Sequence, residues 1–282
     1  MFVNKIALVA DSTSDLNNEE IKKYNIHMLP LKIVYKDREY NDRVDITPDE
    51  VYSNMKNEVP TTSLPSMDDI DRLFVKLKKE GYTHVIAVTI SNGLSGTNNS
   101  MRLVSKNHPE MKFEIFDSLA LSLGAGAIVL ECGEMINSGK GFEEIVKELP
   151  KLRDKIKIYY VLDTLKYLIK GGRIGRVSGS IGEFLHIKPV ISINKEGIYY
   201  TYTKVRGRKQ SISKIFDIVK ETLQEKKAKV WVLHGGAREE AQELYKKVLE
   251  LPNIIKSGFS DISPVAGVHT GPGLIGVTIM TE

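Results

Sequence analysis

One cysteine in 282 residues excludes an internal disulfide, a four-cysteine metal site and a CxxC redox pair. Cys132 sits among apolar neighbours, as a buried thiol does, and a reducing cytoplasm is the expected compartment. No run of 18 apolar residues occurs, so no transmembrane helix is expected. The longest apolar stretch, Leu119–Leu130, is rich in small residues and stops at Glu131. The opening segment Met1–Ala10 has a short apolar run and no small-residue cleavage site after it, so it reads as a strand and not as a signal peptide.

Nucleotide and hydrolase signatures are missing as well. There is no GxxxxGK[ST] phosphate loop, no HExxH and no GxSxG elbow, and no metal or cofactor is expected. Gly271–Gly276 matches GxGxxG but precedes an apparent strand, where a dinucleotide site needs a helix. Charge of one sign is in small excess: 40 Lys+Arg oppose 36 Asp+Glu, a net +4 interspersed along the chain that weakly favours anionic partners. That balance does not point to nucleic acid.

What is present is ordinary globular composition, 41% hydrophobic and 27% charged, at a length that suits two domains of moderate size. The apolar runs Lys5–Ala10, Val85–Ile90 and Phe113–Phe116 read as buried parallel strands, each opening into a polar loop rich in Ser, Thr, Asn or Asp. Ser66 with Asp69 three residues later starts an amphipathic helix carrying Ile70, Leu73, Phe74 and Leu77. Strands alternating with helices imply a mostly parallel sheet with its ligand outside the carboxyl ends of the strands. Ile26–Tyr35 reads as a strand followed by a polar hairpin connection, an excursion from that sheet near residues 28–45.

The second half has a different texture. Val190–Asn194 and Ile198–Lys204 read as an antiparallel hairpin; helices bearing Ile215, Val219 and Leu223, then Ala241, Leu244 and Val248, flank a strand at Val230–His234. The expected class is therefore α/β with two domains: an N-terminal mostly parallel sheet with flanking helices over residues 1–155, and a C-terminal α+β domain over 156–282.

Two residues stand out for chemistry. Gly171-Gly172 ends a short helix and lets Arg173 turn back, either toward an anion or into an ion pair with a carboxylate. His269 lies in a glycine-rich loop, just before the last expected strand, where backbone can approach a ligand closely, and it either donates to an anion or fastens the loop. His234 reads as structural. Lys204, Arg206, Arg208 and Lys209 form a basic stretch, which is either a solvated strand end or a docking surface.

In order along the chain, Asp11–Leu16, Thr62–Ser66, Leu94–Thr97, Asp117-Ser118, Asp163–Ile174, Lys188–Val190, Lys204–Lys209 and His269–Gly273 resemble the signatures of the DegV family of bacterial fatty-acid-binding proteins. The resemblance implies a long-chain acyl tail buried between or beneath two α/β domains, with the carboxylate at their interface. It implies Thr62 and Ser95 as direct hydrogen-bond donors to that carboxylate, and Ser63, Arg173 and His269 as further ligand-site residues. Ser63, Ser12 and Ser118 are expected to orient their loops, and Ser66 to cap its helix. Burial of a 16-carbon chain contributes roughly 10 kcal/mol before ordering costs, at about 0.8 kcal/mol per methylene.

Some members of the family are the lipid-loading subunit of a bacterial fatty acid kinase, which implies a separate ATP-binding partner, consistent with the missing nucleotide motif. Arg206 and Arg208 are then candidates for the partner surface, and transient membrane contact is compatible with such a carrier. The alternative is an enzyme acting on a small phosphorylated or carboxylated metabolite, with His269 as general acid-base.

Overall fold

A computed structural model describes residues 5–177 and 187–282; residues 1–4 of the expected first strand lie outside that range. The three expected apolar runs are β1 (Ile6–Asp11), β6 (His84–Thr89) and β7 (Lys112–Asp117). With β2 (Ile26–Leu29) they form a parallel four-stranded sheet in the order β2-β1-β6-β7. Three helices of the first half start as the sequence dictates, with reciprocal capping boxes. These are α1 (Asn18–Lys23), capped by Asn17, α2 (Pro48–Asn54), capped by Thr47, and α3 (Met67–Lys79), capped by Ser66.

The run Ile26–Tyr35 is not one strand. It breaks after Leu29, where Pro30 has no N–H to give a ladder, and the chain then joins a separate antiparallel sheet. There β3 (Lys32–Val34) pairs with β4 (Glu39–Asn41) on one side and with β5 (Thr61–Ser63) on the other, in the register Ile33 opposite Thr62. Thr62-Ser63, expected in a loop, is thus on a short strand.

Between β6 and β7 lies α4 (Thr97–Ser105), and after β7 the apolar stretch becomes α5 (Leu123–Asn137), buried on nearly every face. This helix packs against β1 and β6 of the parallel sheet and against the later strands Ile156–Val161 and Leu274–Thr281 of a second sheet. Its glycines permit that closeness: a Cβ at Gly126 would come within 2.3 Å of the Ser14 carbonyl oxygen, and one at Gly124 within 2.3 Å of Ile158. The small residues serve tight packing.

Beyond α6 (Phe142–Asp154) the chain enters a six-stranded mixed sheet. Its strands are β8 (Ile156–Val161), β9 (Val190–Ile193), β10 (Tyr199–Thr203), β11 (Ala228–Gly235), β12 (Ile254–Asp261) and β13 (Leu274–Thr281), in the order β10-β9-β8-β13-β11-β12. Helices α8 (Arg208–Glu225) and α9 (Arg238–Leu249) cover it, burying Ile215, Val219, Leu223, Ala241, Leu244 and Val248 as the periodicity predicts. Strand β12, only half buried and without clean alternation, has no counterpart in the sequence reading.

Two short helices complete the fold. The first, α7 (Lys166–Lys170), is preceded by Thr164, whose hydroxyl accepts from the Lys166 N–H at 3.2 Å. The second, α10 (Pro264–Thr270), corrects an expectation: His269 is in its last turn and not in a loop. The start signal is present in the sequence, since Ser263 accepts from the Ala266 N–H and Pro264 occupies the first turn, where its missing N–H costs nothing.

Candidate functional site

A cavity of 210 Å³ lies where β5, the β6–α4 loop, the segment after α7 and α10 meet. Thr62, Ser63, Ser95, Arg173 and His269 all line it, and Leu31, Leu94, Leu121, Tyr199 and Val265 supply apolar wall. One end is therefore polar and the remainder greasy.

Thr62 holds the centre of β5, and its Oγ1 lies 2.7 Å from Nε2 of His269, 207 residues away in sequence. Burial, then the nearby Arg173 cation, pushes the His269 pKa down to about 4, so the ring is neutral at physiological pH. A neutral imidazole has one N–H. Nδ1 has no partner among the described residues and is wedged where a Cβ on Gly171 would approach within 2.2 Å. Placing the proton there would strand a buried donor at a cost of about 1–3 kcal/mol, so the tautomer assigned on this argument carries it on Nε2. His269 then donates to Thr62 Oγ1, and the Thr62 hydroxyl is left to donate into the cavity.

Ser95 lies just ahead of α4; its Oγ is 2.9 Å from Thr97 Oγ1 and accepts from the Thr97 N–H at 3.4 Å. The N-cap of α4 is Gly96, which has no capping side chain, so the positive end of that helix faces the same region. Arg173 follows Gly172, whose φ of +70° turns the chain back after α7. Its Nε donates to the Leu94 carbonyl at 3.3 Å and its Nη1 to the Gly171 carbonyl at 2.6 Å. Among the described residues it pairs with no carboxylate, so a fixed, uncompensated cation borders the hydroxyls. Ser63 is exposed at the rim and makes no side-chain hydrogen bond among the described residues.

The remaining candidates are placed elsewhere. Ser12 donates to Asp42 at 2.6 Å and accepts from the Leu31 N–H; Ser118 bonds both backbone groups of Ala120. Arg206 is exposed. Arg208, expected on a partner surface together with it, is instead committed within the chain: it forks onto Glu240 at 2.7–3.1 Å and donates to the Gly273 carbonyl.

Sequence reasoning missed the carboxylates that hold α10 in place. Asp42 accepts from the Val265 N–H at 3.0 Å, and Asp15 accepts from the Ser263 N–H at 2.8 Å, from Ser122 and from Arg43 at 3.2 Å. Each couples an N-terminal loop to a helix more than 220 residues away. Burial raises the Asp42 pKa to about 7, against the pull of its Ser12 and Val265 hydrogen bonds. Because the native state then binds the proton more tightly than the unfolded chain, stability from Asp42 is complete below about pH 4 and is lost as pH rises through 7. His269, with a native pKa below its unfolded value, acts oppositely between about pH 4 and 6.5. We expect the stability difference between the parent and Asp42→Asn to shift toward the variant by about 2–3 kcal/mol between pH 5 and 7.5 in urea titrations. A difference independent of pH would contradict this assignment.

Fold and cavity together define an α/β protein with a small-molecule cavity whose polar end suits an anion. The chain belongs to the DegV family: that family's model, described as uncharacterised protein, DegV family, matches residues 5–282. A DegV domain-containing protein of Clostridium acetobutylicum is 58% identical over 280 residues, covering 99% of this chain and 100% of the relative. A DegV family protein of Thermus thermophilus, described as fatty acid binding, has 31% identity and a TM-score of 0.92 over 99% of this chain and 100% of the other. DegV of Bacillus subtilis, a fatty acid binding protein, has 29% identity and a TM-score of 0.91 over 99% of both chains. A stearic acid-binding protein of Eubacterium ventriosum has 28% identity and a TM-score of 0.86 over 98% of both. The parallel four-stranded sheet with flanking helices, followed by a mixed sheet, is the architecture shared with these structures. Among the described residues no helix is long and apolar enough to cross a membrane.

Proposed function

We propose that this protein binds a long-chain fatty acid, its carboxylate against Thr62, Ser95 and Arg173 and its tail along the apolar wall, and presents the carboxylate to a separate ATP-dependent kinase subunit that forms the acyl phosphate. The observation that carries this reading is the guanidinium of Arg173, without a carboxylate partner among the described residues, beside two hydroxyls at the mouth of an apolar cavity. An anion completes that set, and an apolar tail completes the walls. The DegV proteins of Thermus thermophilus and Bacillus subtilis, both described as fatty acid binding, support the fatty-acid part of this reading. At 210 Å³ the cavity is smaller than the roughly 300–1,000 Å³ of pockets for drug-sized ligands. On this reading it holds the head group and first carbons, and the tail opens a path beside Ile90, Leu121 and Tyr199, which line the cavity and belong to the core cluster behind it. The carboxylate then sits between a unit of residues 1–155, which supplies Thr62 and Ser95, and one of 156–282, which supplies Arg173 and His269.

Arg173→Met removes the charge and keeps the bulk. A hydrogen bond to a charged group contributes about 1.5–3 kcal/mol, so palmitate affinity measured by calorimetry should fall about 10- to 100-fold; unchanged affinity would remove the carboxylate from this end of the cavity. For the partner, Arg206→Glu should slow acyl phosphate formation by an added fatty acid kinase subunit about tenfold, while leaving palmitate affinity intact. Equal rates with and without the reversal would place the partner surface elsewhere.

A further inference from the structure

At the carboxyl end of β11, between α2 and the start of α9, lies a cleft of 530 Å³ that shares no lining residue with the cavity described above. Strand β11 ends in His234-Gly235-Gly236 and feeds directly into α9; Gly236, at φ +65°, makes the turn. The N-cap of α9 is Ala237, which has no side chain to cap it, so the first-turn N–H groups face the cleft unsatisfied by side chains. His234 forms part of the wall and is 6% exposed, yet neither ring nitrogen has a partner among the described residues. Buried polar groups left unpaired each cost about 1–3 kcal/mol, a cost that a ligand supplying the missing bonds offsets.

The charges around the ring are mixed. Arg238 lies 5.7 Å over the face of Phe259 and, among the described residues, pairs with no carboxylate. Glu240 is neutralised by Arg208, which leaves Asp49, Glu239 and Asp261 as the acidic wall. Burial pushes the His234 pKa down and Arg238 adds to that, while Asp261 and Asp49 pull it back up, so all three charges act on the same ring. A simple anion here meets the aspartates, and a simple cation meets Arg238 and the positive end of α9. A molecule bearing both charges meets neither penalty.

We propose that this cleft binds a small zwitterion, with its phosphate or carboxylate at the start of α9 beside His234 and Arg238 and its ammonium group at Asp49 and Asp261. The test is calorimetric titration of the full chain with phosphoethanolamine and β-alanine, and with inorganic phosphate and ethanolamine as single-charge probes. At least one zwitterion should bind tenfold or more tightly than either single-charge probe, and the stronger of the two tells phosphate from carboxylate. Arg238→Ala and Asp49→Asn, both at exposed positions, should each weaken that binding at least tenfold, with palmitate affinity unchanged in both. The proposal is overturned if neither zwitterion binds, if phosphate alone binds as tightly, or if Arg238→Ala has no effect.

Discussion

Replacing both Thr62 and Ser95 by alanine should lower fatty-acid affinity by about two to four orders of magnitude, since in the proposed complex each hydroxyl donates to the charged carboxylate and such bonds contribute about 1.5–3 kcal/mol apiece. The two losses differ in origin. At Thr62 the substitution also strands His269 Nε2, whose one partner among the described residues is Thr62 Oγ1 at 2.7 Å. At Ser95 it removes a hydroxyl held toward Thr97 in the loop before α4 and leaves the fold contacts of that loop to its backbone, where the Ser95 N–H donates to the Ser91 carbonyl. Thr62→Ser keeps the hydroxyl and should restore most of the affinity, whereas Thr62→Val keeps the shape and should not. Displacement of a fluorescent fatty acid reads both. If valine binds as well as serine, Thr62 acts by packing alone and the hydrogen-bond account of the polar end fails.

Asp15→Ala should cost about 3–5 kcal/mol of stability, the range for removing one partner of a buried ion pair. The carboxylate is fully buried, and its two oxygens receive Arg43, the Ser263 N–H and the Ser122 hydroxyl. Without it Arg43, whose Nε already lacks a partner among the described residues, keeps among them one side-chain hydrogen bond, to the Asp261 carbonyl at 2.8 Å. The N–H of Ser263, which begins α10, is left unpaired. Asp15 also adopts φ +55°, a left-handed conformation that Asn and Asp tolerate better than Ala. Asp15→Asn should therefore lose clearly less than Asp15→Ala. Urea midpoints at constant m-value measure both, and a loss below about 1 kcal/mol for alanine would show that this junction is not what holds α10 against the N-terminal loops.

The elements that were legible in the sequence are those whose signals are local. Ser66 and Asp69 form their capping box within four residues, and β1, β6 and β7 are single apolar runs, so neither needs knowledge of the rest of the chain. Ile26–Tyr35 misled because two short strands in different sheets are separated only by Pro30 and Leu31. Strand β5 is three hydroxyl residues paired with one neighbour, a pattern that in isolation belongs to a loop. For α10, the glycines at 267 and 271 obscured start signals that Ser263 and Pro264 do supply. At the polar end of the cavity, residue types were readable and their connections were not. Nothing local announces that Thr62 meets His269, or that Asp15 and Asp42 reach across to Ser263 and Val265. The commitment of Arg208 to Glu240 is equally nonlocal, which is why a basic stretch read as continuous is divided between an exposed Arg206 and an internal tie.

Native mass spectrometry of the protein as purified from a bacterial host, followed by solvent extraction, tests the central claim without assuming a substrate. The account predicts a near-stoichiometric adduct that extracts as a long-chain fatty acid and is absent from the Thr62→Ala, Ser95→Ala double variant. A parent protein that is empty, and stays empty after incubation with palmitate and stearate, would contradict it.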